Sequence, residues 1–133
     1  MRARPMLQVD DVEAASRWYQ RVLGLVSGHG GAEFEMLFAG PPFASPLSLT
    51  LHRWDAHEHG FMGTPDGDRG NGVSLWFEVP DRAAFDATWD RLAEVGATAL
   101  EAPHWNPLAH HHEFSVRDLD GYVVVVATPF QPG

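Results

Sequence analysis

The chain repeats itself at a spacing of about seventy residues, and a repeat of that length fixes the architecture before any single element is assigned. Met6-Leu7-Gln8-Val9 runs through Asp10 and Asp11 into a helical pattern that stops at Gly24. Leu75-Trp76-Phe77-Glu78-Val79 runs through Pro80 and Asp81 into a second pattern that stops at Gly96. Val9 thus corresponds to Val79, and Asp11 to Asp81. In the first helix Val12, Ala15, Tyr19 and Val22 recur at three- and four-residue steps, which places them on one face. Asp10 with Glu13 predicts a capping box, and Gly24 a left-handed C-cap. The second helix carries the stripe Phe85, Trp89, Leu92 and Val95, with Asp81 to cap its start and Gly96 to end it. Trp18 and Trp89 are therefore expected to be packing residues.

Short strand-like runs follow each helix: Glu33 to Phe38 and Leu47 to His52 in the first half, then Ala97 to Leu100, Glu113 to Val116 and Tyr122 to Ala127 in the second. Together they predict an α+β fold of two βαβββ modules forming a curled mixed sheet with a central cleft. A chain of 133 residues has room for one core of this kind, so residues 1–133 are expected to be a single domain. Module one spans about 1–55 and module two about 73–130. Between them, Trp54 to Gly72 is rich in Gly, Asp and His and reads as a connecting surface loop that could wall a pocket.

Charge and composition narrow the function classes. Nine Lys plus Arg against eighteen Asp plus Glu give a net charge of −9, which repels phosphate backbones and anionic lipid and favours neutral or cationic ligands. Neither nucleic acid nor a membrane is an expected partner. Without cysteine there is no disulfide framework, no zinc-thiolate site and no Cys nucleophile. No phosphate-cradling Gly-rich loop followed by Lys occurs, nor Gly-Xaa-Ser-Xaa-Gly. No apolar run is long enough for a signal peptide or a membrane span, so a cytoplasmic location is expected.

Strand parity points to a site. If Leu47, Leu49 and Leu51 pack under a helix, Ser48, Thr50 and His52 face the other way, as do Arg4, Met6 and Gln8 on the first strand and Ser74, Trp76 and Glu78 on the fifth. Phe114 and Val116 in the core turn His111, Glu113 and Ser115 outward, while Val123 and Val125 share a face with Ala127. Gln8, His52, Trp76, Glu78, His111 and Glu113 would then line one cavity, the usual form of a small-molecule site. Trp76 has either a stacking role toward a flat or cationic ligand or a plain packing role. Glu78 or Glu113 in a half-apolar cavity, with His52 or His111, would suit general acid–base work. His104-Trp105-Asn106-Pro107 reads as a turn capped by Asn106, with His104 or Asn106 alternatively at the pocket rim. His57 and His59 are either solvated loop residues or part of a lid. The tract His110-His111-His112 resembles a metal-binding run, but alternation throws its members to opposite sides.

Several segments resemble signatures of the vicinal oxygen chelate superfamily, which includes glyoxalases, extradiol dioxygenases and bleomycin resistance proteins. They are Met6-Leu7-Gln8-Val9-Asp10-Asp11, Trp18-Tyr19 before Leu23-Gly24, and Arg117-Asp118-Leu119-Asp120-Gly121-Tyr122 before a valine strand. Leu119 departs from the Pro usual in the family. In metal-dependent members such as glyoxalase I, the ligands are His, Gln or Glu on the first and last strands of each half. The resemblance places these positions on Arg4, Ser74, Val125 and near Ser48. Arg and Val are not useful ligands for a divalent ion, so the resemblance implies a binder without cofactor, of the bleomycin-resistance type, that sequesters an aromatic or cationic small molecule. The alternative is a glyoxalase-, isomerase- or dioxygenase-like enzyme. It would use metal-free acid–base catalysis or a relocated divalent metal (Fe, Zn, Ni or Mn) on His52, His111 and Glu113, the residues that would also be catalytic. The family further implies a homodimer.

Overall fold

The computed structural model describes residues 1–54 and 60–132, so His57 and His59 lie outside the described residues. The chain divides into two compact units, Met1–Asp68 and Arg69–Gly133, with the boundary inside the connecting segment anticipated from its Gly and Asp content. The described residues of that segment include a 3-10 turn at Gly60–Met62. No helix among the described residues is long and apolar enough to cross a membrane.

The first unit contains β1 (Met6–Val9), α1 (Val12–Leu23), β2 (Val26–Ser27), β3 (Phe34–Phe38) and β4 (Leu47–Arg53). Its sheet order is β1-β4-β3-β2, with β1 parallel to β4 and the other pairs antiparallel. The second unit contains β5 (Ser74–Glu78), α2 (Arg82–Glu94), β6 (Ala99–Asn106), β7 (His111–Arg117) and β8 (Val123–Ala127). Its order, β5-β8-β7-β6, has the same pattern: first strand parallel to last, the rest antiparallel. These are the two βαβββ modules that the repeat predicts. The two-residue β2, too short to leave a periodic trace, supplies the strand missing from the sequence reading of module one.

Helix α1 forms where the apolar stripe predicts it, but its N-cap is Asp11 and not the expected Asp10. Asp11 is extended (φ −134°, ψ 102°) and its carboxylate accepts the Ala14 N–H at 3.0 Å, which leaves Asp10 one residue too early to reach the open first turn. Gly24 closes the helix at φ 69°, donating its N–H to the Gln20 carbonyl. Val12, Ala15, Trp18, Tyr19 and Val22 are buried together with Leu37, Leu49 and Leu51, each Val or Leu side chain stabilising the fold by roughly 1.5 to 3 kcal/mol. In α2, Asp81 caps as expected, through the Ala84 N–H at 2.8 Å. The buried stripe is Phe85, Thr88 and Leu92, so Thr88 takes the place foreseen for Trp89 and Val95. Its hydroxyl donates to the Ala84 carbonyl, which makes the polar residue tolerable there. Trp89 is half-buried and sets its ring against Phe114 at 5.1 Å, beside the Phe85–Phe114 pair at 5.2 Å.

Two late strands are longer than the sequence suggests. β6 continues to Asn106, taking in the His104-Trp105-Asn106 segment expected to be a turn, because register shifts between Ala99 and His104 accommodate Pro103 without ending the ladder. The turn itself falls at residues 107–110. β7 begins at His111 instead of Glu113. Between β7 and β8, the Asp118 carboxylate accepts the N–H groups of Asp120 and Tyr122, both at 2.9 Å, and Arg117 donates to the Gly121 carbonyl. That bonding holds the turn without a proline ring, and Leu119 at its tip is exposed.

The most heavily bonded side chain of module one is Glu35 on β3, only 2% exposed. One of its oxygens accepts the hydroxyls of Ser16 on α1 and Ser27 on β2, each at 2.8 Å. The other accepts the N–H groups of His29 (3.2 Å), Gly30 (2.8 Å) and Met36 (2.9 Å). Burial pushes this carboxyl up, but the hydrogen bonds from Gly30, Ser27, Ser16 and Met36 together outweigh burial and hold it below its ordinary value. A carboxyl lowered on folding contributes stability that is present above the unfolded-state value and lost as pH falls through the folded one. Glu35→Ala should therefore cost about 3 kcal/mol at neutral pH. Urea melts of the two proteins should converge as pH drops through and below the ordinary carboxylate range; a pH-independent gap would mean that the ionised form is not what stabilises.

Candidate functional site

Both sheets have one face covered by a helix and one that is not, and the sequence-predicted site residues distribute over the uncovered faces as parity requires. In module one, Gln8 on β1 and His52 on β4 are register partners, and both are buried. The His52 ring pairs Nδ1 with the Arg53 carbonyl at 3.0 Å and lies 6.1 Å from Phe34 across the β3–β4 ladder. On the same face the Thr50 hydroxyl donates to the Pro5 carbonyl at 2.8 Å.

Module two gathers more of the predicted set. On β5, Ser74, Trp76 and Glu78 are all exposed, Trp76 by 53%. The Trp76 indole N–H donates to the Ser74 hydroxyl at 2.8 Å, which fixes the ring plane, and the His111 ring stands 5.9 Å away. His111 and Glu113 lie on β7, two residues apart and hence on one side, and His111 Nε2 is 3.1 Å from Glu113 Oε1. The same oxygen accepts the Asn106 amide from β6 at 2.5 Å. Glu113 is thus a buried carboxylate held from two sides, and it faces Ala127 of β8 in register.

Asn106 caps the turn as expected and makes a second contact besides. Its Oδ1 accepts the N–H groups of Leu108 and Ala109, capping the turn, while its amide reaches Glu113. His104 does not join this group: its Nδ1 pairs with the Ala102 carbonyl at 2.8 Å and its Nε2 lies 3.8 Å from Glu101. The histidine tract splits as alternation demands. His111 faces Trp76 and Glu113, His112 stacks toward Trp105 at 5.1 Å and Phe85 at 6.4 Å, and His110, at φ 53°, stands against Phe130.

The positions that bear metal ligands in metal-dependent members do not fit a metal here. Val125 has no donor atom, Arg4 carries a permanent positive charge, and the Ser74 hydroxyl is engaged by the Trp76 indole. Among the described residues, no group of three or more His, Asp or Glu side chains is placed to hold a metal ion. His111 and Glu113 form a pair, and His52 belongs to the other unit.

Parity reasoning missed a cavity of about 840 Å³ in module one, lined among others by Arg2, Arg4, Met36, Phe38, Phe43 and Leu47. Of these residues, strand parity puts only Arg4 on an open face. The rest depends on how the 39–46 loop folds back, which no periodicity encodes.

Asn106→Ala should lower stability by about 2 kcal/mol, since two turn N–H groups and a buried carboxylate each lose a partner. Asn106→Asp keeps the turn acceptors but sets a second carboxylate against Glu113. It should therefore be less stable than the alanine variant at neutral pH and recover on acidification, as followed by chemical denaturation.

A family model described as the glyoxalase/bleomycin resistance protein/dioxygenase superfamily matches residues 3–126. No curated protein matches the chain. Among solved structures, it resembles a glyoxalase-related enzyme from Fulvimarina pelagi (TM-score 0.76, 19% identity, covering 97% of this chain and 88% of that one). A glyoxylase/bleomycin resistance protein/dioxygenase domain from Frankia sp. EAN1pec gives a TM-score of 0.74 at 21% identity, covering 100% and 94%. A lactoylglutathione lyase from Agrobacterium tumefaciens gives 0.67 at 21% identity, covering 96% and 92%. At such identities the structural likeness speaks for the fold alone. With the duplicated βαβββ topology and a family match across nearly its whole length, this chain belongs to the glyoxalase/bleomycin resistance protein/dioxygenase superfamily.

Proposed function

We propose that the chain binds a small, flat, aromatic or cationic molecule on the uncovered face of its second module, without a metal ion. The observation that carries this reading is Trp76. A large indole is left 53% exposed, and its one polar atom is already satisfied by Ser74, so what it offers to a ligand is its π-face. Glu78, the next residue outward on the same face, and Glu113 supply negative charge, which together with an electron-rich ring favours a cation. The net charge of −9 agrees with a ligand of that kind and not with nucleic acid or anionic lipid.

One observation favours a second reading, an enzyme of the glyoxalase, isomerase or dioxygenase kind working by acid–base chemistry. The His111–Glu113 pair at 3.1 Å has the geometry in which a carboxylate orients an imidazole for proton transfer. Both readings use the same face and differ in whether the bound molecule is changed.

Titration of untagged protein with proflavine, a planar cationic dye, tests the first. Trp76→Ala should weaken binding by about 1 to 3 kcal/mol while leaving the melting temperature unchanged, because the ring is exposed. Equal affinity in the variant rejects stacking. Plasma mass spectrometry before and after dialysis against iron, zinc, nickel and manganese should find well under one metal per chain; stoichiometric retention would replace the binder with a metalloenzyme.

A further inference from the structure

We infer that module one carries a second ligand site, of opposite preference, for an amphiphilic anion: a carboxylate or similar acid group on an aromatic or branched apolar body. The site is the cavity of about 840 Å³ bounded by the N-terminal segment, β3 and the 39–46 loop. That volume lies in the range of small-molecule pockets.

Its lining has two characters. Arg2 and Arg4 supply the only charged groups, and no carboxylate takes part. Neither guanidinium has an ion pair among the described residues, whereas Arg53 faces Glu33 and Arg82 faces Asp86. In a chain with twice as many acids as bases, two uncompensated arginines at one cavity stand out. An acid group in the cavity would find two cationic groups able to offer it forked N–H donors. The remaining walls, chiefly Met36, Phe38, Phe43 and Leu47, are apolar. The Ser45 hydroxyl is spent within its own loop, accepting from the Gly40 N–H and donating to the Pro41 carbonyl, so nothing there selects a neutral polar group.

Phe43 is an independent sign. It is not glycine, yet its backbone sits at φ 63°, and its ring is 70% exposed. Strain of this kind persists where the surroundings impose it, and it concentrates at ligand clamps. Here the loop holds the Phe43 ring at 4.8 Å from Phe38, tilted by 56°. Phe38 in turn packs so close to Gly28 that a Cβ there would meet its ring. The two phenyl rings therefore form a fixed wall for the apolar body of the ligand.

Isothermal titration with 2-naphthoate and its neutral analogue 2-naphthylmethanol tests the site on the intact chain. Naphthoate should bind more tightly than the alcohol. The double variant Arg2→Gln/Arg4→Gln, whose two sites are exposed and whose melting temperature should not move, should lose roughly tenfold or more in naphthoate affinity and fall to the level of the alcohol. Arg4→Lys should retain part of the gain, and Phe43→Ala should weaken acid and alcohol alike. Trp76→Ala should leave naphthoate affinity unchanged, separating this site from the one at Trp76. The inference is overturned by no saturable naphthoate binding up to roughly 1 mM, by equal affinity for acid and alcohol, by an unaffected arginine variant, or by loss of naphthoate binding in Trp76→Ala.

Discussion

Module one hangs on a buried carboxylate. Glu35 joins the helix through Ser16, the short strand β2 through Ser27, and the turn between β2 and β3 through the His29 and Gly30 N–H groups. Removing an ionised group from water is costly unless its lone pairs are filled, and here five donors fill them. Ser16 is itself held by the Gln20 amide, so the clasp extends a turn further along α1. The consequence is positional: β2, only two residues long, has little ladder of its own and takes its place from this bond set. Module two reaches the same topology by other means. Its helix-covered face is filled by Phe85, Trp89 and Phe114, ring against ring, and needs no buried charge there. One fold is thus built twice, once around a polar clasp and once around an aromatic stack.

What the sequence disclosed was whatever recurs with a period. The seventy-residue repeat, the helix stripes and the in-out alternation of β4, β5 and β7 follow from residue spacing, and they located Gln8, His52, Trp76, His111 and Glu113 on uncovered faces. What it concealed was set by single contacts between residues distant in sequence or ambiguous among neighbours. Asp10 and Asp11 are equally good caps by type; the backbone at Asp11 decides. Pro103 looks like a strand breaker until a bulge absorbs it. The link from Asn106 to Glu113 joins two residues that alternation alone does not aim at each other, because one ends a strand and serves a turn as well. Arg2 and Phe43 gave no signal at all, since their meeting at a cavity is a property of a loop path.

The two modules share a topology but not a surface chemistry. Module two exposes an indole bordered by Glu78, with Glu113 buried behind it, while module one opens a cavity whose charges are both positive. A chain with a net charge of −9 would be expected to repel anions everywhere, yet field strength at a binding site is set by the nearest charges, and screening over about 8 Å confines the rest. Different chemistry on the uncovered faces of a duplicated fold widens the ligands it can accept, because the topology does not depend on the side chains there.

The fate of the metal-ligand positions supports this view. Had those donors simply been lost, the residues now there would have no consistent role. Instead the Ser74 hydroxyl orients the Trp76 ring, Val125 is packed among β8 neighbours in register with Trp76 and Ser115, and Arg4 borders the module-one cavity. Nothing in the structure explains the residue at Ser48. At the other three positions stand groups that orient, pack or carry positive charge. A guanidinium differs from a bound divalent ion in one respect that matters for chemistry: it attracts and holds an anion but cannot polarise a ligated oxygen as a Lewis acid does. A site built on guanidinium groups therefore recognises negative charge without the means to activate a ligated oxygen.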